Sequence, residues 1–132
     1  EHQLIIFKQY AVTYTNLGHA HYEKGNSLAK KNPKLAAEHF AKAIKNLQTA
    51  VQNTRFFPKE TYDEAVHDTY YYLAISYHKL YMVTRNSALL VKADLAWRNY
   101  FDFFPKRFEK DSTFAYFRKT AEKYWAEVKD LK

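Results

Sequence analysis

The sequence predicts an all-α chain of about five helices, folded as antiparallel helical hairpins stacked one on the next. Three observations carry this. Only two glycines and three prolines punctuate 132 residues, whereas an all-β chain would need turn residues every few positions. Apolar side chains recur at helical spacing in five separate segments. The spacing in the first two segments then returns in the next two, the mark of a hairpin used more than once.

The first segment, about residues 2–24, sets Phe7, Tyr10, Tyr14, Leu17, Gly18 and His21 along one stripe, and Gly25-Asn26 should end it as a C-cap. The second opens at Asn32-Pro33, where Asn32 can cap and Pro33 has no N–H to leave unpaired. Its stripe is Leu35, Ala36, Phe40, Ala43, Leu47, Ala50 and Val51. The third follows Pro58, with Thr61 and Glu64 spaced as a capping box and Tyr62, Val66, Tyr70, Leu73, Tyr77 and Leu80 on one side. The fourth runs from about Ser87 to Phe104 with Leu90, Ala93, Trp97, Tyr100 and Phe101 inward. The fifth starts near Asp111 and uses Phe114, Phe117, Ala121, Tyr124, Val128 and Leu131. Connections of a few residues make neighbouring helices antiparallel.

Tyr14, Leu17, Gly18 and His21 recur as Tyr70, Leu73, Ala74 and Tyr77, an offset of 56 residues. Ala36, Phe40 and Ala43 recur as Ala93, Trp97 and Tyr100, an offset of 57. Two helices repeating at nearly one interval define a hairpin used twice, with the fifth helix opening a third unit. This pattern resembles the tetratricopeptide repeat: an aromatic, then Leu-Gly, then Tyr on one helix, and Ala with an aromatic four residues on along the next, followed by Pro. "YTNLGHAH" and "AEHFAKA" carry the likeness in one unit, "YYYLAISY" and "ADLAWRNYFDFFP" in the other. The resemblance covers nearly the whole chain, with units at about 2–57 and 58–105 and a final helix at about 111–131. Its small residues let paired helices approach while large aromatics fill the gaps between hairpins. The departures are a unit longer than the family's roughly 34 residues, His21 where an aromatic is usual, Ala74 in place of glycine, and Thr120 at a leucine-like position. An ordinary five-helix bundle is the alternative architecture.

"FFPK" occurs at 56–59 and at 103–106, 47 residues apart, so the two copies are not equivalent points of the repeat. Pro105 stands where the family's terminal proline belongs and Pro58 comes late. Both read as punctuation, with the paired phenylalanines tucked under a junction.

One domain suits this length. The absence of cysteine excludes disulfides, thiolate metal sites and a cysteine nucleophile. It leaves the compartment open between the cytoplasm and a bacterial cell envelope. No apolar run reaches the roughly 20 residues of a membrane span. The opening "EHQLIIFKQY" lacks a signal peptide's basic start and has no initiating Met, so the chain reads as a piece of a longer one.

The net charge is +7. Residues 1–58 hold eight basic and three acidic side chains, against thirteen and eleven in 59–132. The first half is the more cationic surface, to which an anionic partner would be steered. The basic groups gather in "KKNPK" at 30–34, in the first half, and in "PKRFEK" at 105–110, in the second. The surplus is spread over several helices instead of one stripe, which argues against a nucleic-acid reader. A basic module for an anionic polymer or membrane surface is therefore the second reading.

Catalytic and metal constellations are not evident. His19 and His21 are two apart and point to different faces; His67 and His78 are separated by about 16 Å of helix. His19 and Glu23 have i,i+4 spacing, but two ligands do not make a site. Glu60, Asp63, Glu64 and Asp68 gather where a helix N-terminus favours negative charge. There is no glycine-rich phosphate loop and no Gly-x-Ser-x-Gly elbow, and no cofactor or metal is expected.

What the resemblance implies is a binding surface. In that family the first helix of each hairpin lines a concave groove that holds a partner peptide or helix. By spacing, the groove candidates are Thr15, His19 and Tyr22; Tyr71, Ile75, His78 and Lys79; and Arg118, Glu122 and Trp125. Trp125 could equally close the core. Tyr70, Tyr71 and Tyr72 cannot share one stripe, so at least one should be exposed. The asparagine set with which the family grips a C-terminal carboxylate is missing. The implied function is a non-enzymatic scaffold that binds another protein, with self-association open.

Overall fold

The computed structural model describes residues 2–55, 57 and 64–132, with side chains from residue 5 onward. Among the described residues the fold is all-α: α1 (His2–Leu28), α2 (Pro33–Thr54), α3 (Glu64–Thr84), α4 (Ala88–Phe103) and α5 (Ser112–Leu131), with one 3₁₀ turn at Lys106–Phe108. Apart from Phe57, the first FFPK copy lies outside the described residues, as do the start expected after Pro58, Thr61 of the expected capping box, Glu60, Tyr62 and Asp63.

Local chemistry accounts for the helix ends. The Asn32 side chain accepts from the Leu35 N–H at 3.2 Å, with Pro33 in the first turn of α2. Asp111 accepts from the Thr113 N–H at 2.9 Å and caps α5. At the head of α4 the cap bond comes from Asn86, whose Oδ1 accepts from the Ala88 N–H, and not from Ser87. α3 ends at Arg85, a non-glycine residue in the left-handed region at φ 58°, whose N–H donates to the Tyr81 carbonyl.

α1 differs from expectation in two ways. It runs through Gly25 and Asn26 to Leu28, because Gly25 is needed for closeness and not for a cap. A β-carbon there would stand 2.8 Å from the Phe40 ring, and one at Gly18 would stand 2.4 Å from Leu47 Cγ. The inward face is also rotated from the expected stripe: Ala11, Thr15, Gly18, Tyr22 and Gly25 are buried, while Tyr10 and Leu17 are about half exposed at 53% and 45%. The aromatic pattern pointed to one side of α1, whereas the small residues mark where α2 approaches.

Each helix packs on its chain neighbour, and α1 on α3 and α3 on α5 as well. The core runs along this stack from Tyr22, Phe40 and Leu47 through Tyr71, Ala74 and Tyr77 to Trp97, Tyr100 and Val128. α3 is central and buried on nearly every side from Val66 to His78. At the end of α4, Phe104 turns extended before Pro105. Phe103 stacks on Tyr70 at 5.1 Å while Phe104 lies against Tyr100, Phe108 and Phe114. The second FFPK therefore packs under the α4–α5 junction, as its sequence suggests. No described helix is long and apolar enough to cross a membrane.

Candidate functional site

Alternate helices lie side by side, so one face is shared by α1, α3 and α5. α1 brings Thr15, His19 and Tyr22. The Thr15 hydroxyl bonds the Thr69 hydroxyl, which also donates to the Ala65 carbonyl, and both threonines are buried. The His19 ring stacks on Tyr72 at 4.1 Å, and its Nε2 lies 3.2 Å from Glu23 Oε1. Tyr22 is wedged between Phe40 and Tyr72.

α3 brings Tyr71, Tyr72, Ile75, His78 and Lys79. Tyr71 meets Tyr72, Trp97, Tyr100 and Phe117 edge to face. His78 is buried with its ring against Tyr124 at 4.7 Å and its Nε2 3.4 Å from Glu127 Oε2. The Lys79 ammonium sits 5.1 Å above the Tyr124 ring. Beneath the face, Tyr22, Tyr71 and Tyr72 form an aromatic floor. Beside it stand His19, Glu23, Lys79, Tyr124, Glu127 and Tyr116, the last 72% exposed.

Two expectations need correcting. Tyr70, Tyr71 and Tyr72 are all buried, because α1, α2, α4 and α5 surround α3. Between Val66 and His78 most α3 side chains are covered by these neighbours. Thr15, Tyr22, Tyr71, Ile75 and His78 are likewise buried within the chain, so they support the face from beneath. Arg118, Glu122 and Trp125 fall on a different side of α5 from Tyr116, Thr120, Tyr124 and Glu127, since positions 118, 122 and 125 form one helical stripe and 116, 120, 124 and 127 another. Arg118 pairs with Glu109 and Glu122 and covers the Phe104 ring. Trp125 stacks on Phe101 at 5.1 Å and donates its indole N–H to Asp94 Oδ1 at 2.7 Å, so it closes the α4–α5 seam.

The electrostatics are those of a held surface. Burial pushes the Tyr22 and Tyr71 phenols well above their ordinary value, with neighbouring tyrosines adding to the effect. Burial, then the Asp68 and Glu23 carboxylates, pushes Tyr72 up to about 12. These hydroxyls stay protonated at neutral pH. Burial lowers His78 below the usual imidazole range, against the pull of Glu127.

Sequence reasoning missed a buried chain of three groups. His67 Nδ1 lies 3.0 Å from Asp68 Oδ1, and its Nε2 lies 2.8 Å from the Tyr100 hydroxyl. Its ring is enclosed by Tyr71, Phe104, Phe114 and Phe117. With Asp68 accepting from Nδ1–H, the Tyr100 O–H donates to Nε2. The space beside it, bounded by Val66, Tyr70, Phe103 and Phe108 among others, is about 10 Å³, enough for a single water. The chain thus ties α3 to α4. A second unforeseen pair is His21 with His39, Nδ1 to Nδ1 at 3.1 Å across α1 and α2. Burial, His39 and Lys42 lower the His21 pKa. Among the described residues no three His, Asp or Glu side chains converge to hold a metal ion. No protein-family model, curated protein or solved structure matches the chain.

Proposed function

We propose that this chain is a non-enzymatic scaffold that binds a peptide or helix of another protein across the face shared by α1, α3 and α5, in the manner of a tetratricopeptide groove. The observation that carries the reading is the packing of α3 on both α1 and α5, which sets His19, Lys79 and Tyr124 around the buried Tyr22, Tyr71 and Tyr72, with the exposed Tyr116 on the Tyr124 stripe of α5. Exposed aromatics such as Tyr116 are strong contributors to interface energy. The helical pairing pattern and the offsets of 56 and 57 residues support the repeat relationship. In this reading Arg118, Glu122 and Trp125 do not touch the partner.

A photo-crosslinking residue at Tyr116 tests the face directly, with Val91 on α4, 61% exposed, as the control position. The Tyr116 derivative should give a discrete adduct in native cell extract and the Val91 derivative should not. His19→Ala with Tyr116→Ala should cut partner capture at least about tenfold while helicity and Tm stay near the parent. Equal adducts at both positions, or undiminished capture by the double variant, would sink the assignment. Capture that collapses between 50 and 200 mM salt would indicate phosphate contacts instead.

A further inference from the structure

The basic turn at 30–34 takes no part in the face described above. α1 ends at Leu28, and residues 29–32 turn the chain into α2, which brings Lys30 and Lys31 alongside the C-terminal end of α3. A cleft of about 460 Å³ opens there. Lys30, Lys31 and Lys79 supply its charge, and Met82 and Val83 its apolar wall, with Asn26 as a further donor. Phe40 is wholly buried and fixed beneath Gly25. Lys79 rests on the Tyr124 ring. Among the described residues no carboxylate pairs with any of the three ammonium groups.

We propose that this cleft binds a phosphate monoester carried on an apolar stem. Lys30, Lys31 and Lys79 all line this cleft and among the described residues no carboxylate does, so an anion entering it meets only positive charge. A phosphate monoester carries about −1.5 to −2 charges at neutral pH and three acceptor oxygens, which suits three ammonium point charges. A lone carboxylate would leave most of the charge unmatched. The volume falls within the roughly 300–1,000 Å³ of small-molecule sites and greatly exceeds a phosphate group, so the apolar wall has room to seat a stem. The proposal does not depend on a protein partner, although Lys79 borders both surfaces.

Titration of the ¹⁵N-labelled chain with hexyl phosphate tests it. Saturable amide shifts are expected at 26–31 and 79–83, with inorganic phosphate at least about tenfold weaker because it lacks the stem. Lys30→Ala with Lys31→Ala, both exposed in the turn, should weaken hexyl phosphate at least about tenfold. Met82→Ser should weaken hexyl phosphate and leave inorganic phosphate unchanged. Vesicles containing phosphatidic acid distinguish the source: competition with hexyl phosphate supports a membrane lipid, and no vesicle binding supports a free metabolite. The proposal is overturned if hexyl phosphate gives no saturable shifts. It is equally overturned if the lysine variant binds normally, or if inorganic phosphate binds as tightly as hexyl phosphate.

Discussion

A β-carbon at Gly18 would stand 2.4 Å from Leu47 Cγ, inside the contact distance of two carbons, and Leu47 is itself wholly buried. Alanine normally favours a helix over glycine by about 1 kcal/mol, but overpacking a core costs about 1–3 kcal/mol. Gly18→Ala should therefore lose about 1–2 kcal/mol net and lower Tm by several degrees in a calorimetric scan. A raised Tm would mean that α1 can slide along α2 freely. The Tyr100 hydroxyl makes a second test. Tyr100→Phe leaves His67 Nε2 buried without its partner at 2.8 Å, at a cost of about 1–3 kcal/mol by urea titration. An unchanged midpoint would mean that water replaces the hydroxyl. At this scale the sequence was partly readable: the repeat likeness pointed to Gly18 as a site of close packing. Gly25 was misread as a cap, because a glycine near a helix end has two common uses and spacing cannot choose between them.

Among the elements, α3 shows most clearly what periodicity can and cannot say. Val66, Tyr70 and Tyr77 were legible as an inward stripe and are buried. That Tyr71, Ile75 and His78 are buried too was not legible, since a stripe identifies one face and only the placement of α5 shows that the opposite face is covered. The same gap explains the site residues: α1 and α3 candidates gathered on one face, while Arg118, Glu122 and Trp125 were carried over by spacing onto the α4 side of α5. Burying His78 has a consequence for pH. Burial holds its pKa below the unfolded value near 6.5, with Lys79 reinforcing and Glu127 opposing. The unfolded chain therefore takes up the proton more readily. The stabilising contribution is complete above about pH 6.5 and is lost as pH falls below it. His21, held down by burial, His39 and Lys42, acts in the same direction. The urea midpoint should drop between pH 7.5 and 5.5, and His78→Leu should flatten that drop. A midpoint that is constant or rises on acidification in the parent would contradict the assignment.

For the whole molecule, the sequence anticipated an all-α chain, and each described helix packs on its chain neighbour, with α1 on α3 and α3 on α5 as well. If the chain is a hairpin stack of the proposed kind, its stabilisation is local and its parts can open separately. α3 packs against α1, α2, α4 and α5, whereas α5 packs mainly on α3 and α4 and is held near its far end to the Asp94 carboxylate. Asp94 receives the Trp125 indole N–H and the Lys132 ammonium, each at 2.7 Å. Those two bonds, with Arg98 adding to them, hold its carboxyl below the usual carboxylate range. The staple therefore persists at neutral pH and fails only as pH falls through that lowered pKa, below about 3.9. Asp94 was invisible from sequence because its partners lie 31 and 38 residues away. Hydrogen exchange followed by mass spectrometry should find the α3 amides slowest and α5 faster, a difference that a single cooperative unit would not show. Asp94→Ala removes the staple and leaves the indole N–H without its acceptor, costing about 1–3 kcal/mol. In a neighbour-limited stack that loss is confined to α5 and the adjoining turns of α4, whose exchange should quicken by about tenfold or more, while α1 and α2 keep their rates. Equal acceleration in all five helices would show that the hairpins open together and that the chain is not stabilised unit by unit.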